Sequence, residues 1–136
     1  MTPIKQTRLS DPSTGTLGNC MQACFASVFD LPIESVPDFI MIEKEGGEDW
    51  IEVMFRFLAE HGAAWHGSGT PEQLTDSRYN QGIDGYVFVG GTSPRGKAIC
   101  PQGHMVIYKD GKPFFDPHPS NDFLDDVEDF WMIGRA

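Results

Sequence analysis

The sequence predicts an α+β domain: an N-terminal helix that carries a cysteine, packed on an antiparallel sheet that carries a histidine and an aspartate. Three observations lead there. Apolar residues recur at helical spacing in the first half and in short β-type runs in the second. Helices first and strands later is the order of an α+β domain rather than of alternating βαβ units. The 10 prolines and 15 glycines are spread along 136 residues, so no linker divides the chain and one domain over 1–136 is expected.

Residues 1–18 are polar and turn-rich (Ser10-Asp11-Pro12-Ser13-Thr14-Gly15) and read as an ordered loop leading into the first helix. That helix is expected over about residues 20–29. Asn19 is a good N-cap, and Gln22 stands where a capping-box partner stands. Ala23, Phe25, Ala26, Val28 and Phe29 are apolar nearly all round, so this helix should be central and buried. Leu31-Pro32 ends it, and residues 33–39 read as a turn or a single helical turn. A second helix fits about residues 49–61, with Gly62 at the C′ position. Trp50, Met54 and Leu58 form one i, i+4 row there, with Ile51 and Phe55 beside it, which reads as a core stripe. Residues 86–89, 105–108 and 113–116 read as strands. The tail 121–129 holds five acids around Phe123, Leu124 and Val127 and reads as a last helix or a covering segment.

Charge narrows the partners. Ten Lys and Arg against 20 Asp and Glu leave a formal charge of −10, which repels phosphate backbones and anionic lipid surfaces. No nucleic-acid partner is therefore expected, and no apolar run approaches a membrane span, so no membrane insertion either. Residues 1–8 have no apolar stretch behind their basic residues and do not read as a secretory signal. Three cysteines cannot all pair with one another, which points to a reducing, cytoplasmic setting with free thiols.

Cys20 is the most informative residue. As the first residue of a helix it sits where free N–H groups and the positive end of the dipole favour a thiolate. Gly18 just before the cap lets a substrate backbone come close. Cys24 lies one turn further in and reads as a small buried hydrophobe. A nucleophilic Cys needs a base, and the base needs an orienting group. His104 opens one strand and Asp116 closes the next. If Lys109-Asp110-Gly111 is a three-residue loop with a G1 bulge at Gly111, Tyr108 faces Lys112, Val106 faces Phe114 and His104 stands opposite Asp116. A two-residue Asp110-Gly111 turn would instead send Asp116 to the other face. His118, between two prolines, reads as a loop residue, and nothing pairs His61 or His66 with Cys20. Trp131 reads as core packing or a cover on the site edge. Residues 90–96 (GGTSPRG) read as a flexible loop upstream of His104.

The stretches Gly18-Asn19-Cys20-Met21-Gln22-Ala23-Cys24-Phe25-Ala26-Ser27, Gly103-His104-Met105-Val106-Ile107-Tyr108 and Phe115-Asp116-Pro117 together resemble the papain-like cysteine peptidase superfamily. The nearest branch is the domain that cuts double-glycine leaders from bacteriocin precursors, with related small bacterial and phage proteins. The resemblance implies a papain-like fold and a thiol protease or related hydrolase. Cys20 would be the nucleophile, His104 the general base and acid, and Asp116 the residue that fixes the imidazole. It implies a peptide or protein substrate and no cofactor, with Gly18, Asn19 and Gly103 as substrate contacts; oligomeric state is not indicated. Two departures stand out: Asn19-Cys20-Met21 replaces the branch's Asp-Cys-Gly, and the only upstream Gln, Gln6, lies fourteen residues before Cys20, further than the superfamily's oxyanion-hole Gln. Two other readings share these residues. Cys20, Cys24, Cys100 and His104 offer three thiolates and an imidazole to a structural zinc ion. The same Cys-His-Asp device also serves transamidases and deamidases.

Overall fold

A computed structural model describes residues 1–98 and 102–136. Its centre is the helix α1, Cys20–Val28, in which Met21, Ala23, Cys24, Phe25, Ala26, Ser27 and Val28 are all buried. Small residues at 23, 24, 26 and 27 let neighbouring elements come close all round, while Phe25 fills the space between them. Its ring lies 4.6 Å from that of Phe88 and 5.1 Å from that of Phe39, centroid to centroid. A 3-10 turn at Ile33–Ser35, within the stretch read as a turn or a single helical turn, leads to a second short helix, α2, Phe39–Lys44, for which no element was expected beyond residue 39.

The third helix, α3, runs Trp50–Glu60, close to the expected bounds, with the Asp49 carboxylate capping the Ile51 N–H. Gly62 follows it with φ +70°, the left-handed conformation that ends a helix at low cost to glycine. Its buried face is Val53, Met54, Phe57 and Leu58. Ile51 and Phe55 do not join the core stripe: they are 40% and 46% exposed, because the face that meets α2 and the sheet is centred one residue further round.

The strands are β1 (Ala63–Gly69), β2 (Tyr86–Thr92), β3 (His104–Lys109), β4 (Lys112–Phe115) and β5 (Asp126–Arg135). They form one five-stranded sheet in the order β1-β5-β2-β3-β4, every neighbouring pair antiparallel. The acidic tail is thus neither helix nor cover but leads into a strand lying between β1 and β2. Alternation along the strands sorts residues to two sides. Phe88, Met105, Ile107 and Ile133 join the helix-side cluster around Phe25, and Val87, Val89, Val106, Tyr108 and Phe130 join a smaller cluster under Leu74. Residues 90–92, expected in a loop, belong to β2. Gly91 pairs with His104, and a Cβ there would stand 2.0 Å from the Asp126 carbonyl oxygen, so only glycine lets β5 come this close.

The hairpin that carries the histidine and the aspartate differs from expectation in an instructive way. Lys109 pairs with Lys112 around a two-residue Asp110-Gly111 turn whose φ values, +54° and +76°, are both positive. Tyr108 therefore faces Pro113, not Lys112. The register then slips, and Ile107 pairs with Phe115. The extra residue is Phe114, next to Pro113, which has no N–H to give to the ladder, and its ring is 49% exposed. A two-residue turn alone would have put Asp116 on the wrong side. One bulge in β4 moves it back to the side His104 takes, so the bulge the pairing needs sits in the strand and not in the turn.

Candidate active site

Cys20 starts α1 and His104 starts β3, so both side chains lie at element ends that meet at a cleft. Cys20 is partly exposed, and it and Cys24 are free thiols. His104 Nε2 lies 2.7 Å from Asp116 Oδ1, with both side chains almost fully buried. Asp116 also accepts from the backbone N–H of His118 at 2.9 Å, on Oδ1, and of Phe123 at 2.8 Å, on Oδ2. Burial works against its charge, yet the His104 hydrogen bond and these two amides hold its carboxyl below the usual aspartate range.

With Nε2 engaged, Nδ1 is the ring nitrogen left free, and Cys20 lines both clefts together with His104. Burial alone would lower the histidine's pKa. The hydrogen bonds to Asp116 and Cys20, with their charges, outweigh it and raise the value to about 9. The imidazolium form is thus favoured across neutral pH. Cys24, a turn deeper, is in the opposite situation: burial first, then the charges of Cys20 and Asp116, push its thiol well up, and its Sγ donates to the Met105 carbonyl at 3.5 Å. Among the described residues no three His, Cys, Asp or Glu side chains converge to hold a metal ion, and Cys100, the remaining ligand of the zinc reading, lies outside them.

The N-terminal segment is pinned onto the start of α1, and Asn19 does the pinning. Its side chain makes no cap bond. Instead Oδ1 accepts from the Thr7 and Arg8 amides at 3.1 and 2.9 Å, and Nδ2 donates to Thr7 Oγ1 and Gln22 Oε1. Gln22 in turn donates to the Ile33 and Val36 carbonyls, so no capping box forms. Asn19 lines the larger cleft, but it is buried and its side-chain polar groups are committed to partners within the protein. It acts as a positioning residue. Asn19→Ala orphans two backbone N–H groups and is expected to cost about 2 kcal/mol, with faster hydrogen exchange at residues 6–8. Urea unfolding and exchange mass spectrometry check this, and unchanged exchange there would contradict it.

That anchoring brings Gln6 to Cys20 across fourteen residues of sequence. Gln6 lines a small cleft with Cys20 and His104, its backbone N–H donates to the Pro117 carbonyl at 3.0 Å, and its Nε2 donates to the Arg8 carbonyl at 2.9 Å. Gly18 is glycine because of this crowding. A Cβ there would stand 2.9 Å from Ser10 Oγ and 3.1 Å from Gln6 Nε2, so the close approach expected of a substrate is made by the protein itself. Gly103, at φ +80° with its Cβ position 3.0 Å from the Gly91 carbonyl oxygen, turns the backbone into β3. Gly18 and Gly103 both line the cleft walls next to Cys20.

The remaining candidates separate. Trp131 lines the main cleft and stacks on Trp50 at 5.9 Å. His118 lines the small cleft, its ring 6.1 Å from that of His104. His61 bonds the Phe57 carbonyl within its own helix end, and His66 lies in β1 against Gly134; neither lines a cleft with Cys20. Arg95, which no motif singled out, also lines the small cleft, and Lys5 secures the loop behind Asp116 by donating to the Asp116 and His118 carbonyls at 2.8 and 3.0 Å. The only hint of Arg95 in the sequence was its place in the segment before His104. Among the described residues no helix is long and apolar enough to cross a membrane. Comparison of the protein with models of protein families, with curated proteins and with solved structures finds no match.

Proposed function

We propose that this protein is a papain-like thiol hydrolase that cleaves an amide or isopeptide bond in a peptide or protein. One observation carries the reading: a partly exposed cysteine at the first residue of a buried helix shares its cleft with a histidine whose Nε2 lies 2.7 Å from a buried aspartate. In this reading Nδ1 of His104 takes the Cys20 proton while Nε2–H stays on Asp116, giving a thiolate–imidazolium pair. The thiolate adds to the substrate carbonyl carbon. The backbone N–H of Cys20, unpaired within the helix because it is the first residue, and the amide of Gln6 receive the negative charge that grows on the oxygen. His104 Nδ1–H then protonates the leaving amine, the C–N bond breaks and a thioester remains. Water, deprotonated by Nδ1, attacks that thioester and releases the acid and the Cys20 thiol.

Incubation with peptide and ubiquitin-like electrophilic probes, read by intact mass, tests the assignment. Wild type is expected to gain one adduct, and Cys20→Ala none. Equal labelling of the two proteins would remove Cys20 as nucleophile and the proposal with it.

A further inference from the structure

Charge is divided across the nucleophile. Two clefts share Cys20, His104, Ser10, Gly18 and Gly103. The larger, about 310 Å³, is lined by Asp38, Glu128 and Asp129 and by no lysine or arginine. The smaller, about 200 Å³, is lined by Arg95, His118 and Gln6 and by no carboxylate. In a protein with 20 acidic residues against 10 basic ones, a cleft that ends on the nucleophile, holds an arginine and is lined by no carboxylate runs against the average surface, although the buried Oε1 of Gln6, an acceptor, also stands there without a partner.

The donors are built in. Arg95 Nη1 donates to Ser120 Oγ at 3.0 Å and lies 3.9 Å from Asp122 Oδ2 at the rim. Its Nε and Nη2, the edge that makes parallel bonds to a carboxylate, are buried with no hydrogen-bond partner among the described residues. Buried donors of this kind are costly unless an acceptor meets them. Arg95 sits in the turn at 93–96, which is closed by the Gly96 N–H to Ser93 carbonyl bond at 2.8 Å. His118 supplies a second donor. The Ser120 N–H donates to its Nδ1 at 3.0 Å, which places the ring proton on Nε2. Burial, and then the charges of Arg95 and His104, keep this ring neutral.

Resting on the thiol-hydrolase reading, we propose that the smaller cleft is a carboxylate subsite: the substrate presents a carboxylate to Arg95 and His118 beside the carbonyl that Cys20 attacks. The carboxylate belongs either to an acidic residue of the substrate or to its C-terminus, and one set of probes separates the two. N-iodoacetylglycine and N-iodoacetylglycinamide deliver the same electrophile with and without a terminal carboxylate. N-iodoacetylaspartamide with its β-carboxylate free, against its asparagine counterpart, does so for an acidic residue. In each case the Cys20 thiolate displaces iodide and forms a thioether, read by intact mass with Cys20→Ala as blank, and each rate is divided by that of free cysteine.

In wild type the acid of one pair is expected to react about tenfold faster than its amide, the effect of one charge-assisted pair of hydrogen bonds. The pair that shows the preference names the source of the carboxylate. Arg95→Gln is expected to bring that ratio near one, and Arg95→Lys to keep part of it. A ratio near one in wild type for both pairs, or a preference that survives Arg95→Gln, overturns the subsite. If the variants fail to fold, wild type alone decides: succinate should slow labelling by iodoacetamide more than succinamide does, and equal protection overturns the proposal. Neutral amides that label Cys20 no faster than free cysteine count instead against the hydrolase reading.

Discussion

Asp116→Ala should destabilise the protein by about 3–5 kcal/mol, the range for breaking one partner of a buried charged pair, and should slow alkylation of Cys20 at neutral pH. Both effects have one origin. The carboxylate is fully buried and satisfies three donors at once: the His104 ring at 2.7 Å and the His118 and Phe123 amides at 2.9 and 2.8 Å. Alanine leaves two backbone N–H groups and an imidazole without an acceptor, at a position buried from solvent. It also frees the loop that Lys5 clamps behind the strand end. Asp116→Asn separates the parts. It keeps the volume and one acceptor, so it should lose less stability than alanine, yet it removes the charge that favours the imidazolium and so should still slow Cys20. Urea unfolding with iodoacetamide kinetics on the same samples reads both. A stability change under 1 kcal/mol for alanine would mean that the three bonds do not hold the site together.

Much of this site could be read from the sequence because its parts lie at element ends, where local rules are strong. Asn19 and Gly18 mark the start of α1, and a run with little polar character beyond Cys20 marks a central helix, as observed. The His104 and Asp116 pairing was legible as a possibility that hung on a single register step. What periodicity could not show was where that step lies. Asp110-Gly111 is a strong two-residue turn signal, and taken alone it puts Asp116 on the wrong side. Pro113, which cannot give a ladder hydrogen bond, is the residue next to which β4 slips.

The strand β5 was hidden for a different reason. Phe130 and Ile133 are both fully buried although they point to opposite sides of the sheet. A strand covered on both faces loses the alternation that identifies an edge or half-exposed strand. Of the five tail acids, those at 122 and 125 precede the strand and those at 126, 128 and 129 lie in its first half, so they masked the apolar run that follows. Asn19 shows a third kind of limit. Its type suits an N-cap, but a tertiary partner, the backbone of residues 7 and 8, competes for the same amide group and supplies two N–H donors instead of one. That exchange is also what delivers Gln6, whose distance in sequence from Cys20 says nothing of its distance in space.

Stability should fall as pH rises from about 6.5 to about 9, by on the order of 3 kcal/mol. The sign follows from His104. Its pKa is raised from 6.5 in the unfolded state to about 9 in the folded one, so between those values the native state holds a proton that the unfolded state has released. The contribution is complete below 6.5 and gone above about 9. Asp116 has the opposite sign: its depressed pKa adds stability above the unfolded value of about 3.9, which is lost as pH falls through the folded one. The pair therefore weakens the fold at both ends and leaves a maximum in mildly acidic solution. Cys24 adds a second alkaline loss, since its buried thiol stays protonated after an unfolded cysteine ionises, but that loss begins only near pH 9. The two separate in a variant. His104→Gln should flatten the urea midpoint between pH 6.5 and about 8.5 and leave the decline above pH 9 in place. A wild-type midpoint that is level across the lower window would show that folding takes up no net proton there, as when the proton on His104 is the one Cys20 gave up. The same titration in Cys20→Ala, where no thiol supplies that proton, then reads the ring and Asp116 alone, and a midpoint level in that variant too would remove the imidazolium on which the proposed attack depends.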